Sequence, residues 1–531
     1  MADKETYDVV IVGGGHNGLS AACYLGKQGL KCAVLEAQPV YGGGVVTEEL
    51  TLPGFRHNTH AAFMVIIYDV AEQLNLAKYG LRFYEGPIGY SAVYADGTCA
   101  HMYLDEDRMY KHMSTFSEKD AKTWMELKQF FGSIGIVLQA GLGARASMRP
   151  SMLPAAFEES EEGRELLWMW NTSPRNLVQN FFDHPKVRGL FYTWISQAAE
   201  IPDSMMGSGM LFLTSLGLSA VGFRRWGVAI GGTGNVSKAM AAMIKETGGV
   251  IKLNTEVVKI KVQNGVAISA IAADGTEYIA KKGIISNVNH QITLHKMVGD
   301  ENLEPSFVRK TSRWRWPEHV LFTPHLAIDY PIQWKAQERD PDIMKSWGVG
   351  VLGDPPDTFW VKNAADCEVG RPPQNAAGFT IVNPTVVDPT QAPPGKGALL
   401  MWQLTPYELE GGAQRWDDIK DEYAQRMIDC MDDYTLPSKP FSKSVIGRYI
   451  MSPLDIERRN PSMAHGGFTH GSMAQDQMMS FRPYHGSDGY KTPFENLLLC
   501  GDYAGCAGTY GRNAAGWLIE SLKMKPWWEE F

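Results

Sequence analysis

Residues able to do chemistry gather at the two ends of the chain. Gly13-Gly14-Gly15-His16-Asn17-Gly18 follows the apolar, β-branched run at 7–12 and precedes an alanine-containing stretch that stops at Gly29. This is the pattern of a strand, a phosphate-binding turn and a helix. Gly13 makes the tight turn, Gly15 lets backbone approach a pyrophosphate, and Gly18 lets the helix pack close to the sheet. The helix N-terminus offers free N–H groups and its positive dipole end to the phosphates. "LKCAVLEA" returns as a second strand ending at Glu36-Ala37, with Glu36 18 residues beyond Gly18, where a carboxylate accepts hydrogen bonds from ribose hydroxyls. Gly42-Gly43-Gly44-Val45 lies just past that strand, where a second backbone loop touches the pyrophosphate of an FAD extended through the domain. A nicotinamide site needs no such loop. The far end repeats the grammar: in "NLLLCGDYAGCAGTYGRNAAGWLIESL", residues 496–522, an apolar run meets Gly501-Asp502 and leads into a helix.

A sheet and its covering helices must position these pieces. A chain of 531 residues supports two or three domains. Its 44% hydrophobic and 21% charged content is that of an ordinary globular protein. A net charge of −9 argues against a nucleic-acid partner. Seven cysteines without a C-x-x-C pair argue against a zinc site, a redox dithiol and a disulfide framework, so no metal is expected. No basic-plus-apolar signal precedes the first strand, and the cytoplasm is the expected location. No apolar run reaches membrane-spanning length. The nearest, "MLFLTSLGLSAVGF" at 210–223, reads as a buried helix; the alternative is a helix roofing a lipid-sized pocket or touching a membrane surface.

The middle of the chain holds an imitation. "GVAIGGTGNVSKAMAAMIKETGGVIKLNTEVV", residues 227–258, looks like a second strand–turn–helix–strand unit of the kind that binds NAD(P)H. Gly232-Thr233-Gly234-Asn235-Val236-Ser237 lacks the third glycine, and its leading strand is very short. One dinucleotide site is expected, so electrons enter or leave through the substrate or an external acceptor such as oxygen or a quinone.

"VVIVGGGHNGLSAACYLGKQGLKCAVLEA", "GGGVVTEEL", "HGSMAQDQMMSFRP" and "TPFENLLLCGDYAG" with "YGRNAAG" resemble the phytoene dehydrogenase-related flavoproteins. These sit within the wider group of amine oxidases and carotenoid desaturases and isomerases. The resemblance covers most of the chain outside about 100–220. It implies an α/β fold: a Rossmann-type, glutathione reductase-like three-layer FAD domain with an inserted α+β substrate domain. The expected division is an FAD domain from 1–60, 225–300 and 455–531, a helical insert at 61–224, and a mixed or antiparallel substrate sheet within 301–454. It also implies that the C-terminal turn completes the N-terminal FAD site. Asp502 then holds the ribityl or pyrophosphate end, and the helix near Gly511-Arg512-Asn513 aims its N-terminus at the pyrimidine ring. Val257 pairs its backbone with the adenine. His60, on the path from pyrophosphate to flavin, and Tyr510, beside the flavin edge, are acid–base candidates, each weighed against a structural role. No His or Cys occupies a recognised attachment position, so the FAD is expected to be non-covalent.

The chemistry implied is hydride transfer at flavin N5 with an apolar, isoprenoid-like or alicyclic substrate. The 15 tryptophans and 25 methionines suit such a pocket, although most of them must be core. A redox-neutral isomerase or saturase, an amine oxidase, and a flavin-binding scaffold or partner subunit are the alternatives.

Overall fold

The apolar run at 7–12 forms the inner part of strand β1 (Lys4–Val12), which leads through the first glycine turn into helix α1 (His16–Lys27) and strand β2 (Cys32–Leu35). The computed structural model describes residues 3–62, 68–142, 152–196, 228–375, 377–487, 489–502 and 508–530. The run at 210–223 lies outside the described residues. β1 pairs in parallel with β2 on one side and with strand Glu277–Ser286 on the other. Its Val9 to Val12 are all buried because both faces are covered. One face packs on α1 and helices Gly234–Glu246 and Thr509–Ser521. The other packs on the antiparallel hairpin Val257–Gln263 and Val266–Ala272. Three layers result: helices, sheet, hairpin.

The chain's last strand, Leu497–Leu499, adds to this sheet in parallel beside Ile284 to Ser286. The two ends of the sequence therefore share one sheet. "VIKLNTEVVKIKV" reads as one strand but divides: Val250–Lys252 pairs with β2, and Val257–Gln263 belongs to the covering hairpin. Between them the Thr255 N–H donates to the Glu36 carbonyl (2.8 Å), which brings Val257 past the end of β2.

A second seven-stranded sheet runs in the order Val445–Met451, His319–Ile328, Gly397–Pro406, Phe379–Val382, Gly348–Leu352, Ile88–Tyr94, Cys99–Tyr103. It is mixed, since Gly348–Leu352 pairs in parallel with Ile88–Tyr94 and the other pairings are antiparallel. The segment expected to be helical thus supplies a hairpin. "IGYSAVYADGTCAHMY" carries the β-branched and aromatic residues and the Asp96-Gly97 turn that favour one. One face of this sheet, with Leu321, Leu400 and Trp402, packs under helices between 106 and 196. The opposite face, with Phe322, Leu399 and Met401, packs on helix Trp416–Cys430.

α1 and helix Thr509–Ser521 cross at backbone contact. A Cβ placed on Gly511 would lie 1.9 Å from the Asn17 carbonyl oxygen. Neither helix can yield without disturbing the sheet below, so Gly511→Ala should lower stability by about 1–3 kcal/mol, the usual cost of an overpacked site. Chemical denaturation measures this, and an unchanged midpoint would contradict the contact.

Candidate functional site

The first turn is closed by glycines that admit no side chain. A Cβ on Gly18 would meet the Gly13 carbonyl oxygen at 2.2 Å, and one on Gly15 would meet Asn287 Nδ2 at 2.5 Å. Gly13 itself has φ +91°, open to glycine. The second loop lies directly on the first: the Gly42 N–H donates to the Gly14 carbonyl (2.8 Å), and a Cβ on Gly43 would stand 3.0 Å from Gly15 Cα. Val45 is buried and its carbonyl accepts from Ser237 (2.8 Å). Glu36 is largely buried; its oxygens accept from the Gly14 N–H (2.7 Å) and the Gln38 N–H (2.8 Å), beside exposed Ala37. Burial raises its carboxyl pKa, and these N–H donors offset part of that.

The N–H groups at the head of α1 are open. Gly15 caps the helix with no side-chain bond, and among the described residues the N–H groups of Gly15 and Asn17 meet no acceptor, while His16 follows the Gly15–Gly42 bridge. That is a ready anion site. The imitation turn is the reverse. There the Gly231 N–H donates to Asp388 (2.7 Å), the Thr233 N–H to Asn58 (2.9 Å) and the Gly234 N–H to Thr47 (2.8 Å). A Cβ on Gly232 would meet Thr47 Oγ1 at 2.4 Å. Its own side chains already fill the place a phosphate would take.

Gly501 and Asp502 come against the same turn. A Cβ on Gly501 would strike Asn287 backbone at 2.6 Å. Asn17 joins the two ends: its Nδ2 donates to the Cys500 carbonyl (3.4 Å) and its Oδ1 accepts from the Gly508 N–H (3.0 Å). Asp502 is fully buried, and its Oδ1 accepts from both the His290 N–H (2.9 Å) and His290 Nδ1 (2.7 Å). Gln291 Nε2 donates to His290 Nε2 (3.0 Å), which leaves the Nδ1–H as the donor towards Asp502. The second carboxylate oxygen, Oδ2, has no partner among the described residues. A buried, unpaired carboxylate oxygen is costly. Together with the open N–H groups it forms a cradle that a flavin dinucleotide fits.

The segment "HGSMAQDQMMSFRP" encloses this turn. Arg482, 4% exposed, donates to the carbonyls of Asp502 (2.7 Å), Ser472 (3.1 Å) and Thr469. Its guanidinium lies 5.1 Å from the ring of Trp314, which also meets His290 edge-on at 4.9 Å. Met473 and Met478 of the same segment enter the core beneath the second sheet. His290 gives no signal in the sequence, because its partner lies 212 residues away and no spacing rule connects them; Arg482 lies within the segment already singled out, but nothing there shows that it grips Asp502.

The catalytic candidates fall differently. His60 stands beside the second loop: the Ala61 N–H donates to the Gly44 carbonyl (3.0 Å), and a Cβ on Gly44 would lie 3.9 Å from His60 Cβ. Burial, aided by the Arg459 charge, pulls its pKa to about 3. His57 and His325 lie nearby with ring centres 5.6 Å apart. Neither ring nitrogen of His325 completes a hydrogen bond, though the Thr59 carbonyl is close enough to favour its charged form. Tyr510 packs half-buried on the helix layer. Arg512 turns its charge towards Asp69 and Tyr24, and Asn513 donates to the Tyr490 hydroxyl (2.9 Å), so both side chains hold the helix in place. A cavity of about 50 Å³ opens between the second sheet and its helices. Leu321, Trp402, Phe359 and Trp360 line it, with Asn363, whose Oδ1 is unpaired.

The NAD(P)-binding Rossmann-like domain family matches residues 11–74. The chain is 28% identical to pyridine nucleotide-disulfide oxidoreductase domain-containing protein 2 of Rattus norvegicus, over 98% of this chain and 94% of that protein. It is 27% identical to a limonene dehydrogenase subunit of Castellaniella defragrans, over 100% of this chain and 97% of that protein. Among solved structures, cyclohexylamine oxidase from Brevibacterium oxydans superposes with a TM-score of 0.57 at 15% identity, over 97% of this chain and 99% of that one. The fold is that of the amine oxidase-like flavoproteins.

Two outcomes are expected. His290→Leu leaves Asp502 oriented by one backbone N–H alone; losing a hydrogen bond to a charged group should weaken FAD binding by the apoprotein roughly ten- to hundred-fold. Fluorescence titration reads this, and an unchanged Kd would remove His290 from the site. Burial also holds His16 and His57 near pKa 4 and His60 near 3, against an ordinary 6.5. Between those values the unfolded chain binds protons that the folded chain refuses, so stability should fall as pH drops from about 6.5 towards 4. Urea denaturation at several pH values checks the sign, and His60→Gln should make the decline shallower.

Proposed function

We propose that this chain, a relative along its whole length of the phytoene dehydrogenase-type flavin oxidoreductases, holds FAD non-covalently and desaturates an apolar, alicyclic or isoprenoid-like substrate. One pairing carries this reading. N–H groups without an acceptor at the head of α1 and the unpaired Oδ2 of Asp502 belong to two turns that Asn17 and Asn287 hold together, in a chain whose other glycine turn is closed by its own side chains. A bound flavin supplies a hydride acceptor at N5.

The chain's own groups do the rest. The head of α1 holds the pyrophosphate and Glu36 the adenosine ribose, while Asp502 fixes the ribityl chain. The N-terminus of helix Thr509–Ser521 stabilises negative charge at the pyrimidine end. Aromatic and aliphatic walls at Leu321, Phe359, Trp360 and Trp402 favour a hydrocarbon, with Thr193, His319, Asn363 and Thr380 as polar handles. The cavity is smaller than a terpenoid, so a substrate of that size would have to widen it. His60 is neutral at physiological pH and therefore serves as a hydrogen-bond partner or proton acceptor, not as an acid. Electrons leave to an external acceptor, oxygen or a quinone, since the closed turn at 231–234 offers NAD(P)H no phosphate site.

Anaerobic spectroscopy of the flavin tests this. Alicyclic or isoprenoid hydrocarbons should bleach the visible bands, and excess NADPH should not. Rapid, saturable bleaching by NADPH would overturn the single-site reading. Turnover seen only after prior reduction of the flavin would replace desaturation with an isomerase or saturase.

A further inference from the structure

Strand Cys99–Tyr103 ends the second sheet, and its period of two sets Cys99 and His101 on one face. Facing them is Asp340, which opens the turn Pro341–Lys345. The His101 Nε2 lies 3.4 Å from Cys99 Sγ and 3.4 Å from Asp340 Oδ2. All three potential ligand atoms lie within 4.8 Å of one another.

We propose that Cys99, His101 and Asp340 form a binding site for a zinc-type divalent cation, with water completing a tetrahedron. The distances favour an ion. With Zn–S near 2.3 Å and Zn–N and Zn–O near 2.0–2.2 Å, tetrahedral geometry requires an S–N edge of about 3.5 Å and an N–O edge of about 3.4 Å. Both observed separations match. The imidazole is held as a ligand should be: Nδ1 bonds to the buried Ser91 hydroxyl (2.6 Å), leaving Nε2 directed at the other two atoms. The His101 N–H is fixed by His112 Nε2 (2.9 Å). Asp340 is fixed too, since its Oδ1 accepts from the Asp342 N–H (3.1 Å) while Oδ2 faces the histidine. Cys99 and His101 are buried, and the Asp340 side chain is 30% exposed, so the fourth position opens to solvent. On binding, the Cys99 thiol gives its proton to solvent and a sulfur–metal bond forms; no electrons move.

Such a site would clip the edge strand of the sheet to a turn more than 200 residues away, shielding an edge that would otherwise be open to pairing. The missing C-x-x-C pair does not speak against it. Cys-x-His on a strand presents two ligands on one face as surely as C-x-x-C does in a turn, and the third comes from elsewhere in the fold.

The test uses the flavin-loaded full chain, stripped with a chelator and titrated with zinc chloride against a colorimetric zinc indicator. One equivalent should bind, and zinc should raise the melting temperature. Cys99→Ala and Asp340→Asn should abolish the tight equivalent and the thermal gain. Ser91→Ala should weaken affinity about ten- to hundred-fold, as loss of a group orienting a ligand does. Uptake by wild type no greater than by Cys99→Ala, or a thermal gain that persists in both variants, would overturn the site. Because binding is read by metal uptake, its failure would leave the flavin reading untouched.

Discussion

The architecture depends on a contact that permits no side chain. α1 and helix Thr509–Ser521 cross with Gly511 pressed on the Asn17 carbonyl, 1.9 Å from where a Cβ would sit. That closeness lets Asn17 span the gap, accepting from Gly508 and donating to Cys500. It also lets Ser20 donate to the Gly508 carbonyl (2.7 Å). The first and last helices thus become one block on one face of one sheet, and the turn at Gly501-Asp502 is delivered to the mouth of the turn at Gly13–Gly18. A crossing only slightly wider would break the Asn17 bridge between the two turns.

From that block a polar chain leads towards the second sheet. Asp502 is gripped by His290 on its carboxylate and by Arg482 on its carbonyl, and Trp314 packs against both grips. Arg482 is bonded to backbone carbonyls, and such charge-assisted bonds are stronger than neutral ones. The same segment carries Met473 and Met478 into the apolar cluster that includes Leu321 and Trp402. One short segment therefore joins Asp502 to the apolar core under the second sheet.

What could be read from the sequence follows how local each feature is. The turn at Gly13–Gly18, Glu36 and the loop at Gly42–Gly44 fall within one strand–turn–helix–strand unit and its next loop, whose order is legible from the residues alone. Asp502 was legible only through resemblance, because nothing near it in sequence shows that residue 290 would hold it. His290 was silent, since a histidine before an apolar run has no signature of its own. The hairpin at 88–103 had a clear turn signal at Asp96-Gly97, but a helical pattern further along the segment masked it. The strand at 250–263 divided because its two halves pair with different partners, a choice made by the sheet and not by local propensity. Arg512 and Asn513 show another limit: nothing near them in sequence tells that Asn513 would donate to Tyr490.

Two turns in this chain share the same grammar, glycines leading into a helix, and they differ in how their N–H groups are satisfied. At 231–234 Asp388, Asn58 and Thr47 accept from the backbone, and the helix is capped by the protein itself. At 13–17, among the described residues, Gly13 and Gly14 find acceptors in Leu35 and Glu36, and the N–H groups of Gly15 and Asn17 find none. Leaving buried donors unsatisfied costs stability, so such an arrangement persists where a ligand completes it. Glycine spacing announces that backbone can come close. Which turn binds a phosphate depends on which one the fold has left unfinished.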